Sequence, residues 1–457
     1  MNATYFPRWR RVSGTADGAV VQPDETMPLP QTVAMGAQHV VAMFGSTILA
    51  PLIMGFDPNM AILMSGVGTL VFFLFVGGRV PSYLGSSFAF IGGVVAVTGY
   101  SGSGPNVNIG VALGAIIACG FIYACIGLLT MLANSRQGAA ADWIDRWMPP
   151  VVTGAVVAVI GLNLAPLAAK NAMGSSLFES AMAVMTVLCV GGVAVYTRGL
   201  VQRLLILVGL FLACALYALL TNGLGLGTPI DFSAIAAAPW LGLPRMTAPV
   251  FETHAISVIA PVAIILVAEN LGHIKAVSAM TGQNLDQYLG RAFLGDGVAT
   301  MLSGAMGGTG VTTYAENIGV MTVTKIYSTL VFVVAALVAL LLGFSPKFGA
   351  VIQAIPAPVL GGMAVVVFGL IAIAGARIWV VNQVDFSDNR NLIVAAVTLI
   401  LGAGNFSVSL GGFKLDGIGT ATFGAIILYA LLRGRKAPRR PQATLPAAVA
   451  EVEEAVQ

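Results

Sequence analysis

Charge is what this sequence has least of. Asp, Glu, Lys and Arg together make up 9% of its 457 residues, against roughly 25% in soluble globular proteins. Residues 80–135 contain none of the four, and neither do 26–56 or 58–78. Each stretch is long enough for at least one membrane helix of about 20 residues, and the deficit excludes a water-soluble globule. Cysteine is scarce as well. Cys119, Cys125, Cys189 and Cys214 all lie in apolar runs and form no CxxC pair, which argues against a disulfide framework or a zinc site and for buried small hydrophobes. HExxH, a Walker A loop and the dinucleotide-binding glycine fingerprint are missing, so metalloprotease chemistry and ATP-driven work have no support. No nucleophile–base constellation stands out. The chain is therefore not expected to be an enzyme, and no metal, cofactor or nucleic-acid partner is expected. The first 30 residues hold Arg8, Arg10 and Arg11 but no apolar run, so no cleaved signal peptide is expected.

What is present is apolar. The chain is 57% hydrophobic with 55 glycines, and its mean hydropathy is +0.91. Glycine lets membrane helices approach closely and lets the chain break within the bilayer. Hydropathy predicts fourteen segments: 31–54, 60–77, 84–98, 109–133, 151–168, 178–196 and 204–220, then 255–272, 292–305, 313–323, 328–343, 358–374, 391–404 and 418–432. With both termini inside, 18 of the 22 Lys and Arg fall on the cytoplasmic side, and only Lys170, Arg245, Lys347 and Lys414 fall outside. The positive-inside rule favours this even count. A polar stretch at 221–253 divides the segments seven and seven, so the halves have opposite orientations, as in inverted-repeat transporters. The expected organisation is a cytoplasmic tail 1–30, a first repeat 31–220, an extracytoplasmic loop 221–253, a second repeat 254–433 and a cytoplasmic tail 434–457. Ser86-Ser87-Phe88-Ala89-Phe90 and Thr312-Thr313-Tyr314-Ala315-Glu316 echo one another, each with glycine just upstream. They predict short extended or broken stretches in segments three and ten that face each other.

Two acidic residues lie where lipid-embedded chains least tolerate them. Glu269 sits in ILVAENLGH and Glu316 in TTYAENIGV. A carboxylate in the bilayer core costs several kcal/mol and is usually kept there for a ligand or a proton. Glu269 and His273 are four apart and share a helix face, where they can share a proton or orient one another. The other reading of Glu269 is a helix end at the cytoplasmic interface, since Lys275 follows. Glu316 and Asn317 follow a hydroxyl- and glycine-rich run whose free backbone N–H groups would point at a ligand, or Glu316 caps that helix. Gln38-His39 binds, relays protons or is structural. Asp296 joins a proton path or caps a helix. Phe88 and Tyr314 stack on a flat ligand or pack.

The run Glu316-Asn317-Ile318-Gly319-Val320-Met321-Thr322-Val323-Thr324-Lys325 matches every fixed position of [Q/E/P]-N-x-G-x-x-x-x-T-[R/K/G]. That is the signature of the nucleobase–ascorbate transporters (nucleobase:cation symporter-2), which the chain resembles over about 30–433. Gln38-His39 and Glu269-x-x-x-His273 fall in the expected places. GSSFAF, AENLGH and TTYAENIGV are most similar to bacterial uracil permeases, while GRVPSYLGSS, MPPVVTGAVV and GRAFLGDG are similar to a pyrimidine-utilisation (Rut) branch. The resemblance implies an all-α polytopic fold of fourteen segments in 7+7 inverted repeats. A core domain (segments 1–4 and 8–11) moves against a gate domain (5–7 and 12–14), and homodimers form through the gate domains. It further implies proton-coupled uptake of uracil, with thymine as a further pyrimidine, across the bacterial inner membrane, the proton being the coupling ion and lipid the surrounding partner. Glu269 and Glu316 would bind the substrate N–H groups, and backbone N–H near Ala315 and Glu316 a carbonyl. Phe88 and Tyr314 would shape the pocket, and His273 would link Glu269 to protonation. Ala315 stands where the family has Gly, and Asn270 where another uracil permease type has His. A purine or xanthine symporter of the same family is the alternative. An anion carrier of similar architecture fits two central glutamates poorly.

Overall fold

The computed structural model describes residues 5–12, 20–100, 105–134, 146–410 and 413–432. The expected C-terminal tail and its basic cluster from Arg433 onward lie outside the described residues. Helices and short strands fill the apolar stretches. Those of the first half are β1 (Arg10–Arg11), β2 (Glu25–Thr26), α1 (Leu29–Met54), α2 (Pro58–Phe75), β3 (Leu84–Ser86), α3 (Phe90–Thr98), α4 (Ile109–Asn134), α5 (Pro150–Asn163), α6 (Ala165–Met173), α7 (Leu177–Tyr196) and α8 (Leu205–Ala218). The second half adds α9 (Thr253–Ile259), α10 (Val262–Thr281), α11 (Leu289–Met306), β4 (Val311–Thr313), α12 (Ala315–Thr324), α13 (Thr329–Gly343), α14 (Pro346–Gln353), α15 (Ala357–Val381), α16 (Asn389–Ala403), β5 (Val408–Leu410), β6 (Phe413–Leu415) and α17 (Gly417–Leu431).

Local chemistry sets the ends. Pro58 opens α2, and the Asp57 carboxylate before it accepts from the Asn59 N–H at 2.8 Å, a side-chain cap on an otherwise orphaned donor. α1 stops at Gly55, whose φ of 76° suits a residue without Cβ. Among the described residues, eight helical stretches are long and apolar enough to cross a membrane, or nine if the 81° bend between α13 and α14 lies within one span. Three segments run further than hydropathy places them. The eighth continues past 272 to Thr281, the twelfth past 374 to Val381, and the fifth breaks at Leu164 and resumes to Met173. Polar residues end the apolar signal, but His273, Lys275 and Arg377 still form helix.

The helices pack in two groups. α4 lies along α11, α2 against α11 and α13, and α1 against α13, with α3, α9, α10 and α12 joining them. Separately, α15 packs on α5, α6 and α7, α7 on α8, and α16 on α5 and α17. The α9–α10 span is 78% buried and central, whereas the spans of α7 and α8 are 28% buried and peripheral. Within each group glycines form the seam. A Cβ on Gly127 would lie 2.3 Å from the Leu294 nitrogen and one on Gly297 2.4 Å from the Ala124 nitrogen, so the α4 and α11 backbones touch. Gly161 and Gly375 do the same for α5 and α15, with 2.2 Å to the Phe368 oxygen and 2.3 Å to the Ala158 nitrogen. Small residues at such contacts supply the van der Waals attraction that holds helices together in lipid.

β3 and β4 pair antiparallel inside the first group, Leu84 opposite Thr313, Gly85 opposite Thr312 and Ser86 opposite Val311. All six residues are buried. The facing extended stretches expected in segments three and ten are therefore present, each leading into a short helix.

Gly297→Leu is expected to force the α4–α11 seam apart, at about 1–3 kcal/mol for overpacking. Size-exclusion profiles and thermal inactivation in detergent should show less monodisperse protein and a lower midpoint. Wild-type behaviour would contradict the seam.

Candidate substrate site

The site begins with the strand pair. Irregular backbone survives in a membrane only where protein satisfies it. Here the Ser87 N–H donates to the Gly310 oxygen at 2.9 Å and the Tyr314 N–H to the Tyr83 oxygen at 3.0 Å. Thr69 Oγ1 accepts from the Leu84 N–H at 2.9 Å, and Thr300 Oγ1 donates to the Val311 oxygen at 3.0 Å. Close approach needs glycine. A Cβ on Gly85 would meet the Tyr314 ring at 2.5 Å, and one on Gly310 the Phe90 ring at 2.2 Å. The strands hand over to α3 and α12, so two helix N-termini start from one place. Their first N–H groups have no intrahelical acceptors and make a positive end suited to an acceptor atom on a ligand.

Glu316 lies in the first turn of α12, and its carboxylate accepts a hydrogen bond from Ser46 Oγ of α1. Its side chain thus reaches across to α1 and also accepts from its own backbone N–H in the first turn of α12. Glu269 is the eighth of twenty residues in α10, so the reading of a helix end at the interface is corrected. The helix runs through His273 and Lys275, and Lys275 pairs with Asp286 at 3.0 Å. Glu269 feels the charge of Glu316, and its Oε2 has no hydrogen-bond partner. A buried acceptor without a partner marks a place for a ligand donor.

His273 bonds elsewhere than expected. Its Nδ1 is 2.9 Å from Thr313 Oγ1 of β4, so the imidazole ties α10 to the strand pair and is not paired to Glu269. Asp296 does not cap a helix. It lies mid-way along α11, fully buried, and its carboxylate accepts from Asn270 and, at 3.4 Å, from the Tyr123 hydroxyl. Asn270 also donates to the Tyr123 oxygen at 2.9 Å. Because Asn270 adjoins Glu269, this buried triad fixes α10 against α4 and α11. His39 is buried against Phe332, with ring centroids 4.6 Å apart. The Asn317 amide donates to the His39 carbonyl at 3.1 Å and lies 3.0 Å from Nδ1, so both residues serve to lock α1 to α12. Gln38 is half-buried beside it.

Tyr314 is buried. Its hydroxyl donates to the Ser86 oxygen at 2.8 Å and accepts from Thr47 at 3.3 Å. It therefore holds the strand pair from behind. Phe88 packs edge-on against Phe368 of α15 at 6.2 Å and so meets the second helix group. Ala315 is exposed, as are Gly319 and Thr322 on the same face of α12, and nothing lies within 4 Å of a Cβ built on Gly319. An exposed stripe therefore runs along α12 from Ala315 through Gly319 to Thr322. The contacts of Ser46, Thr47, Thr313, Asn270 and Tyr123 were not expected from sequence; no local motif marks a hydroxyl or amide whose partner lies far along the chain.

These residues meet what comparison finds. A sequence model described as the Permease family (Xan_ur_permease) matches residues 30–411. The chain belongs to the nucleobase–ascorbate transporter family. It is 64% identical to the protein named pyrimidine permease RutG in Escherichia coli (strain K12), over 93% of this chain and 95% of that one. It is 36% identical to the uracil permease of Bacillus subtilis (strain 168), over 88% and 92% of the two chains. The fold is also similar to that of the transmembrane domain of the cyanobacterial bicarbonate transporter BicA, with a TM-score of 0.59 at 15% identity over 88% of this chain and 97% of that one. The chain is thus an integral membrane transporter and not an enzyme.

Asp296→Ala would take one acceptor each from the Asn270 amide and the Tyr123 hydroxyl, which keep the Tyr123 oxygen and the Leu266 oxygen as their other acceptors. The lost bonds, about 1 kcal/mol each, should lower the thermal midpoint of the purified protein, with Asp296→Asn milder. Equal midpoints for all three proteins would show that the triad does not brace α10.

Proposed function

We propose that the chain carries uracil, with thymine as a further pyrimidine, across a bacterial inner membrane together with a proton. The observation that carries this reading is that Glu269 of α10 and Glu316 in the first turn of α12 feel each other's charge on helices that pack together beside the strand pair. Uracil offers two N–H donors and two carbonyl acceptors on a flat ring. Two carboxylates suit the donors, and backbone N–H near Ala315 and Glu316, in the first turn of α12, suits a carbonyl. The names of the permeases it is similar to support the same class of substrate. A ligand with two donors also relieves the repulsion between neighbouring carboxylates, and so does a proton. Coupling follows if uracil binds one protonation state more tightly than the other.

The two packing groups fit a core domain (α1–α4 and α9–α13) working against a gate domain (α5–α8 and α15–α17), within fourteen segments in inverted repeats of seven. With both termini cytoplasmic, the exposed face of α12 toward Lys325 would look inward, and Phe88 against Phe368 would join the two groups across their boundary. In the cycle, a proton and uracil enter from outside, the loaded core shifts against the gate, and loss of the proton inside releases the base. Gate-domain faces would hold a homodimer.

Uptake of radiolabelled uracil, in cells lacking their own uracil permeases, should saturate, rise at acidic external pH and vanish with a protonophore. Glu269→Gln should abolish it at normal membrane abundance. Proton-dependent uptake by that variant at the wild-type rate would sink the role given to Glu269, and dominant competition by xanthine would move the substrate to purines.

Gly319→Leu gives a contrasting test. The side chain enters open space, so the protein should fold and reach the membrane, yet uracil uptake should fall as the path narrows. Unimpaired uptake would place the substrate path elsewhere.

A further inference from the structure

The N-terminal residues before α1 were expected to be a plain cytoplasmic tail, yet residues 5–12 and 20–27 are built into the bundle. β1 and β2 pair in parallel, Arg10 opposite Glu25. The Tyr5 hydroxyl reaches the Leu74 and Phe75 oxygens at 2.7 and 3.0 Å, at the end of α2. Phe6 and Trp9 both stack on Phe73, with centroids 5.8 and 6.1 Å away. The Arg291 guanidinium at the start of α11 lies over the Tyr5 ring at 5.2 Å.

The second anchor is the end of the half-helix that carries Glu316. The Val21 N–H donates to the Lys325 oxygen at 3.0 Å, and the Tyr327 N–H donates to the Val21 oxygen at 2.8 Å. Lys325 closes α12 with a φ of 56°, an unfavourable region for a residue with Cβ, so surrounding contacts must hold it. Trp9 Nε1 donates to Thr329 Oγ1 at 2.9 Å, and Thr329 in turn reaches the Pro23 oxygen at 3.1 Å. Val21, Met27, Ile326 and Val331 form a small apolar cluster of their own beneath these bonds.

We propose that this segment is a strap that positions Glu316. α12 is ten residues, about 15 Å at 1.5 Å per residue. Its start is fixed by β4 pairing with β3, while one of its faces borders open space. Its end is fixed by Val21 on Lys325 and by Trp9 on Thr329. A short helix held at both ends keeps its first-turn carboxylate in register with Glu269, and the strap carries the restraint on to α2 and α11. Val21 and Trp9 are positioning residues: neither touches the site, and both act through α12 and its junction with α13.

The inference rests on the uracil reading for its transport measurement and on nothing but the fold for its second. Val21→Pro removes the N–H that reaches Lys325. Trp9→Phe removes the indole donor and keeps a ring on Phe73. In the full-length protein, uracil KM and kcat are measured per amount of protein in the membrane, and amide exchange is followed over residues 315–327. Val21→Pro should raise KM about tenfold, the scale of one lost orienting interaction, with kcat little changed and exchange in α12 faster. Trp9→Phe should shift both in the same direction by less, and it covers the case in which Val21→Pro does not fold. An unchanged KM overturns the proposal, as does an uptake loss that tracks membrane abundance alone. Wild-type protein that carries no uracil defeats the transport reading instead; exchange in α12 then decides the strap, and unaltered exchange in both variants overturns it.

Discussion

Everything at the centre of this protein hangs on six paired residues. Backbone N–H and C=O groups inside a bilayer must find partners, and helix and closed barrel are the usual answers. Here the chain leaves the helix twice, at Leu84–Ser86 and Val311–Thr313, and the two departures satisfy each other. Thr69 and Thr300 supply hydroxyls to the strand backbone, while Gly85 and Gly310 give the Tyr314 and Phe90 rings room to lie close. The pairing starts two half-helices side by side. Glu316 then falls beside Ser46, and Thr313 comes within reach of His273. Neither arrangement could persist if the strands parted.

The membrane character, the broken third and tenth segments and the two central glutamates were legible because each violates a strong expectation. Charge is scarce enough that a Glu within an apolar run stands out. Facing hydroxyl-rich stretches with glycine upstream are equally conspicuous. What stayed hidden depends on pairing across the chain. Asp296 reads as a cap or a proton carrier from its neighbours alone, and its bonds to Asn270 and Tyr123 span 26 and 173 residues. His273 and Glu269 share a helix face, but the imidazole turns to a threonine on another element. Helix ends were blurred because hydropathy follows transfer energy, whereas the helix continues through polar residues that have partners. The residues before α1 were misread for a related reason. Three arginines dominated the signal, and Tyr5, Phe6 and Trp9, which do the packing, were passed over.

The likeness to a bicarbonate transporter domain at 15% identity shows how little the architecture itself says about cargo. The fold supplies a junction of strands and half-helices with donors exposed; side chains decide what that junction holds. In this chain it is lined by carboxylates, hydroxyls and an imidazole.

The glycine seams give the bundle a mechanical grain. Within each helix group backbone lies on backbone, at Gly127 and Gly297 in one and at Gly161 and Gly375 in the other. Sliding along such a seam would drive main-chain atoms into one another. Between the groups, contact is made through side chains such as Phe88 and Phe368, which can change rotamer without lifting a helix. A change of rotamer can therefore reshape the contacts between the groups, while the glycine seams within each group leave no side chain to turn.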